Sequence, residues 1–244
     1  MEILVTILKM FGFAFVAFFV STIIHEGGHV IAGLVQGWRF SIMVIGPVTI
    51  YRDMEDDKIK IKMEKNPALW GGLGGTYPKE KSDRNIRAYA RILLAGPAAS
   101  LLMGGICGIL LVFHGSLFMS LLTFVPISMG IACLIPNAKT GFLYTDGGRF
   151  LRIVKGGKTA AEERALFEAT LLETHTPGEK YDSEGIGILT ASAEVSFRYF
   201  GHYYAYLNAK KDQDAEEIQK QIATMESIKK DVPKSVQDLC IVDN

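Results

Sequence analysis

The chain has only three cysteines, Cys107, Cys133 and Cys240, and no two of them stand at a paired spacing. That scarcity excludes a disulfide framework and a thiolate zinc site, and leaves the cysteines as small apolar fillers. Net charge is missing as well, since 26 Lys and Arg balance 26 Asp and Glu. No basic block gathers anywhere, so nucleic acid is not an expected partner. Charge is scarcest in three stretches: Ile3 to Ile24 holds one charged residue, Lys9, while Ile92 to Phe113 and Leu117 to Pro136 hold none.

What fills those stretches is apolar. Hydrophobic residues make up 49% of the chain and the mean hydropathy is +0.21, above the norm for soluble proteins. Each run has about the 20 residues that a helix needs to cross a bilayer. Three such runs within 136 residues exceed what buried core helices of a soluble protein supply, so spans are predicted at about 3–36, 86–113 and 117–136. No small-residue cleavage pattern follows the first, which is therefore read as retained. Eleven Lys and Arg lie between Gly37 and Arg91, and the tail after Arg149 is rich in them, whereas the second and third spans are joined only by His114-Gly115-Ser116. The positive-inside rule then puts the long segment and the tail in the cytosol and the N-terminus outside, in a multi-pass protein of a bacterial-type plasma membrane.

Between the spans the period changes. Phe40, Ile42 and Val44 alternate with other residues, Gly46-Pro47 breaks the run, and Ile59, Ile61 and Met63 alternate with lysines, which predicts short strands over about 38–63. The run Gly71 to Gly75 reads as loop. After Asp146-Gly147-Gly148 the composition becomes that of a helical soluble domain. Thr159 and Glu162 read as a capping box opening a helix to about Thr174. Leu189, Ala193, Phe197, Phe200, Tyr204 and Leu207 mark one face of a second helix, and Asp214 with Glu217 caps a third. The expected fold is thus a mostly α membrane protein: a three-span core with a short membrane-associated β-hairpin or sheet over residues 1–152, then a cytosolic helical-hairpin domain over 153–244.

The chemistry sits at the end of the first span, in His25-Glu26-Gly27-Gly28-His29. Residues four apart share a helix face, so His25 and His29 can offer imidazole nitrogens to one ion, with Glu26 able to reach a water there. That pattern belongs to zinc hydrolases, which need three protein ligands and one open position. Ionisable groups inside a span cost about 2.5–3.5 kcal/mol or more at its centre and are functional by default. Gly27 and Gly28 each weaken the helix by about 1 kcal/mol relative to alanine, which calls for a close approach by another segment, one able to bring the third ligand. For that ligand, His114 falls on the opposite side and His175 and His202 in the soluble tail. Asp146 follows the third span on the side where His25 and His29 fall; an ordinary helix N-cap is the competing reading for it.

These residues resemble the site-2-protease family of intramembrane zinc metalloproteases. The resemblance rests on His25-Glu26-Gly27-Gly28-His29, on Gly96-Pro97-Ala98-Ala99-Ser100 and on Leu134-Ile135-Pro136 leading to Asp146-Gly147, and covers roughly residues 10 to 152. It implies Zn2+ as cofactor, with His25, His29 and Asp146 as ligands and Glu26 as the catalytic base. It also implies a substrate that is a membrane protein cut in or near its transmembrane segment, as in regulated intramembrane proteolysis, with the sheet receiving the unwound segment as an added strand. Cys133 stands where the family has asparagine, and the spacing from Pro136 to Asp146 is long, so Cys133, Pro136 and Asn137 are the substrate-binding candidates. No segment between the spans is large enough for a PDZ domain, which makes this the compact form. The lipid bilayer and a regulatory protein docking on the helical tail are the other expected partners. The competing reading, favoured by Cys133, is an inactive membrane-tethered adaptor that acts through its tail.

Overall fold

A computed structural model describes residues 2–66, 69–80, 82–136, 143–176 and 178–242, and divides them into two compact units. The first comprises Met1–Pro136 and Thr145–Phe150, the second Asn137–Tyr144 and Leu151–Asn244.

Three long apolar helices dominate the first unit: α1 (Glu2–Val35), α2 (Asn85–Phe113) and α3 (Leu117–Leu134). Each is long and apolar enough to cross a membrane. Even α3, with 18 residues, reaches about 27 Å at about 1.5 Å per residue, close to the ~30 Å of a hydrocarbon core. Their outward side chains, Leu102, Ile109, Val112, Phe113 and Phe124 among them, stay exposed, as lipid-facing residues must. All three helices pack on one another. The close approach expected at the paired glycines occurs at Gly28 alone, where a Cβ would lie 2.6 Å from the Ala95 carbonyl oxygen; nothing stands within 4 Å of one at Gly27. The approaching element is α2, which brings no third ligand but does bring groups that hold the histidines. Pro97 and Pro126 are both accommodated inside helices.

A four-stranded antiparallel sheet follows α1, built from β1 (Arg39–Ile45), β2 (Val48–Arg52), β3 (Ile59–Met63) and β4 (Leu73–Tyr77) in the order β3-β2-β1-β4. Gly46, at φ 53°, turns β1 into β2. Strand β4 departs from the sequence reading, which made Gly71 to Gly75 a loop. Glycine has little strand propensity, and here it is required by packing against α1: a Cβ at Gly74 would come within 2.6 Å of the Glu26 carbonyl oxygen. The sheet therefore lies along the helix that carries the histidines, with β4 as its near edge.

Helix α4 (Asp146–Lys155) begins in the first unit and ends in the second. The second unit holds α5 (Gly157–His175), α6 (Ser183–Thr190), α7 (Val195–Asp212), α8 (Ala215–Ile228) and the short α9 (Lys234–Gln237) around Leu189, Phe197, Tyr204, Tyr206, Met225 and Val236. Two expectations change here. Thr159 and Glu162 form no capping box: α5 starts at Gly157, the Thr159 hydroxyl bonds the Arg152 and Gly156 carbonyls, and the Glu162 carboxylate accepts from Arg152. The single helix read through Leu189 and Phe197 is two, α6 and α7, separated near an exposed Ala193, because the Ser192 hydroxyl accepts from the Glu194 amide and ends the helical run. Asp214 does cap α8, accepting from the Glu217 amide. Arg152 is buried between the rings of Tyr144 and Phe197, each centroid 4.5 Å from its guanidinium carbon, and is paired with Glu162 at 2.6 Å and Glu163 at 2.8 Å.

Candidate metal centre

Helix α1 places His25, Glu26 and His29 one turn apart, all buried, at 4%, 8% and 7% exposure. The imidazole centroids of His25 and His29 lie 5.0 Å apart with the rings nearly perpendicular, which turns both Nε2 atoms toward a common point. Asp146, the first residue of α4, reaches the same point: its Oδ2 is 3.2 Å from His25 Nε2 and 3.6 Å from His29 Nε2. Among the described residues these three form the one group with metal-ligand character, their donor atoms all within 4.8 Å of one another.

The far nitrogens explain the orientation. His29 Nδ1 lies 2.8 Å from the backbone carbonyl oxygen of Ile92 on α2. A carbonyl only accepts, so Nδ1 carries the hydrogen and, in the neutral ring, Nε2 keeps its lone pair toward Asp146. His25 Nδ1 is 3.0 Å from the hydroxyl of Ser100, fully buried on α2. A lone pair and a carboxylate oxygen facing each other at 3.6 Å repel unless a proton or a metal cation lies between them. Two ligands about 2.1 Å from a tetrahedral ion stand about 3.4 Å apart, a value that the observed 3.2 and 3.6 Å bracket. Donor type, orientation and spacing therefore fit a metal ion. Gly96 leaves room for this arrangement, since a Cβ there would fall 2.3 Å from His29 Nε2.

Strand β4 packs on Glu26. A Cβ at Gly72 would approach the Glu26 Oε1 to 2.4 Å, and one at Gly74 would approach Oε2 to 3.0 Å. On the other side, Asp146 is set by the start of its helix. The Thr145 hydroxyl donates to the Ile135 carbonyl at 2.7 Å and accepts from the Gly148 amide at 3.2 Å. Asp146 is thus the first helical residue, and Thr145 supplies the cap.

Of the substrate-binding candidates, Cys133 lies half-buried in the last turn of α3 and Pro136 is exposed just after it. Asn137 lies outside the described residues. Cys133 is not part of the three-donor group. Sequence reasoning gave no role to Ser100, to the Ile92 carbonyl or to Gly72 and Gly74. A hydroxyl in an apolar span and two glycines in one short stretch were the available signals for the first and last.

Comparison with protein-family models matches residues 13–237 to Peptidase family M50, well past the residue 152 at which the motif resemblance stops. Comparisons with curated proteins and with solved structures return no match. A match over most of the length, joined to three membrane-type helices and a buried His-His-Asp cluster, means that the chain belongs to peptidase family M50, the site-2-protease family of membrane metalloproteases.

Proposed function

We propose that the chain is an intramembrane zinc endopeptidase that hydrolyses a peptide bond in or near the transmembrane segment of another membrane protein. The observation that carries this reading is the convergence of His25, His29 and Asp146 donor atoms within 4.8 Å at the end of an apolar span, beside Glu26. His25 and His29 would hold zinc through Nε2, and Asp146 through its carboxylate. Zinc, when bound, would supply Lewis acidity toward the scissile carbonyl and acidify a water at its open position. Glu26 is the general base and later the general acid, taking a proton from the attacking water and handing it to the departing amine. Its burial at 8% exposure excludes bulk water, and the close packing of Gly72 and Gly74 on the carboxylate limits where it can turn.

A transmembrane helix hides its peptide bonds, so the substrate has to unwind before it reacts. Strand β4 is suited to receive it, because its outer edge pairs with no strand among the described residues and extended backbone can add there by main-chain hydrogen bonds. Cys133 and Pro136 at the end of α3, with Asn137, help to place the segment. Residues 1–152 serve as the catalytic membrane core, and 153–244 as a cytosolic domain that takes a regulatory protein in a regulated intramembrane cleavage. The eleven Lys and Arg between Gly37 and Arg91, against Lys9 alone before Gly37 and none in His114-Gly115-Ser116, support an external N-terminus. The inactive-adaptor reading drew on Cys133, and the donor set is complete without that residue.

The test is Glu26→Gln. Purified wild type is expected to carry one zinc per chain, and the variant to keep the zinc and lose cleavage, so that membrane proteomes of cells carrying the two forms differ in the substrate's fragments. A fully active variant would overturn the role of Glu26, and a wild type devoid of zinc would overturn the reading as a whole.

A further inference from the structure

We infer that Arg149 and Tyr89 are positioning residues for Asp146, their contact setting where its carboxylate stands relative to the histidine pair; this rests on the zinc-protease reading above. Arg149 Nη1 donates to the Tyr89 hydroxyl at 2.6 Å, and its guanidinium carbon lies 5.2 Å from the centroid of the Tyr89 ring. The two residues occupy matched places. Arg149 follows Asp146 by three residues on α4, and Tyr89 precedes Ile92 by three on α2, the residue whose carbonyl holds His29. The contact thus ties the helix that carries the carboxylate to the helix that orients an imidazole.

Why such a tie is needed follows from how α4 begins. Its first turn is attached to the end of α3, through the Thr145 hydroxyl on the Ile135 carbonyl and through Gly147, where a Cβ would meet the Leu134 carbonyl oxygen at 2.1 Å. Within the first unit both attachments lie at one end of α4 and on one neighbour, so there they fix its origin but not its roll about its own axis. Helix Cα atoms lie about 2.3 Å from the axis and a carboxylate further out, so a roll of about 15° moves its oxygens by about 1 Å. Ligand distances in a metal site hold to about 0.2 Å. A third attachment, one turn along and on a different helix, removes that freedom, and Arg149 on Tyr89 supplies it. The planar guanidinium is suited to this because it donates at the ring edge while covering the ring face.

The test uses the full chain in detergent, with zinc affinity measured by competition against a chelator, the melting temperature of the zinc-free protein, and kcat and KM on a membrane-embedded substrate. Tyr89→Phe keeps the ring and removes the acceptor. It is expected to weaken zinc binding by at least about fivefold, short of the ~10–100-fold typical when a group touching a ligand is removed, and to lower kcat with KM unchanged. The zinc-free melting temperature should stay where it is. Arg149→Met should behave as Tyr89→Phe does, and Arg149→Lys should recover part of the loss. Wild-type zinc affinity and kcat in both Tyr89→Phe and Arg149→Met would overturn the inference. So would losses that appear only together with a lower zinc-free melting temperature, since that marks a merely structural contact. A wild type that binds no zinc sinks the parent reading and this one with it, whereas a zinc-loaded wild type with indifferent variants sinks this one alone.

Discussion

His29 Nδ1 stands 2.8 Å from the main-chain carbonyl of Ile92, whereas its neighbour His25 relies on a side chain, the Ser100 hydroxyl, at 3.0 Å. The two imidazoles are therefore unequally secured. A backbone acceptor cannot be mutated away, while a hydroxyl can. Ser100→Ala is expected to leave His29 oriented and let His25 turn, weakening metal binding by about tenfold, in line with the loss of an outer-shell partner. Chelator competition on the purified protein checks this, and affinity equal to wild type would show that the hydroxyl does not hold the ring.

Gly74 makes a different demand. An alanine methyl there would lie 2.6 Å from the Glu26 carbonyl oxygen and 3.0 Å from its Oε2, so either β4 or the carboxylate has to move. Overpacking of this kind costs about 1–3 kcal/mol. A displacement near 1 Å at a catalytic base can lower the rate by about 100-fold. Gly74→Ala is expected to keep its metal and lose cleavage by that order. The atoms nearest to that methyl all belong to Glu26, so metal content and activity should separate in this variant.

How far the sequence is legible follows from these same residues. His25, Glu26 and His29 form a local pattern, because a helix puts residues four apart on one face, and α1 is helical throughout. The spans were equally plain, since lipid admits little but apolar side chains. Asp146 was reachable through Asp-Gly-Gly and the order of the spans. Ser100, the Ile92 carbonyl and Tyr89 were not, because each meets its partner across 60 or more residues of chain, and packing rather than spacing decides such meetings. Strand β4 was hidden for another reason. The glycines that let it lie against Glu26 are the residues that argue against a strand when they are read alone. In the tail, Thr159 and Glu162 show how a correct local signal loses to a buried cation, since Arg152 claims the carboxylate that a cap would have used.

That cation supports a third prediction. Glu163 is fully buried, Glu162 is 4% exposed and Arg152 10%, so removing the arginine takes their shared cation from two carboxylates held away from water. Arg152→Met is expected to destabilise the second unit by about 3–5 kcal/mol. The double change Glu162→Gln with Glu163→Gln in that background should restore part of the loss, because the two buried negative charges are then removed along with their cation. Pulse proteolysis of the full chain in urea, following fragments from residues 151–244, measures both.

The last prediction concerns pH. Glu173 is an exposed residue whose carboxyl nevertheless sits beside the hydroxyls of Tyr203 and Tyr204, each 3.4 Å from one of its oxygens, and partial desolvation there raises it above the ordinary value of 4.5 despite the hydrogen bonds that favour the ionised form. The sign follows from proton counting. Below pH 4.5 the folded and unfolded chains both hold the proton, so the group contributes nothing. As pH rises toward the elevated folded value, the unfolded chain releases its proton first and gains on the folded one; beyond that value the loss of stability is complete and constant. Glu173→Gln removes the ionisation and keeps an amide able to bond both tyrosines. The urea midpoint of the second unit should match wild type near pH 4 and exceed it at pH 7 to 8. A variant that is the less stable of the two at neutral pH would mean that the ionised carboxylate, held by the two tyrosines, is a net contributor to the fold.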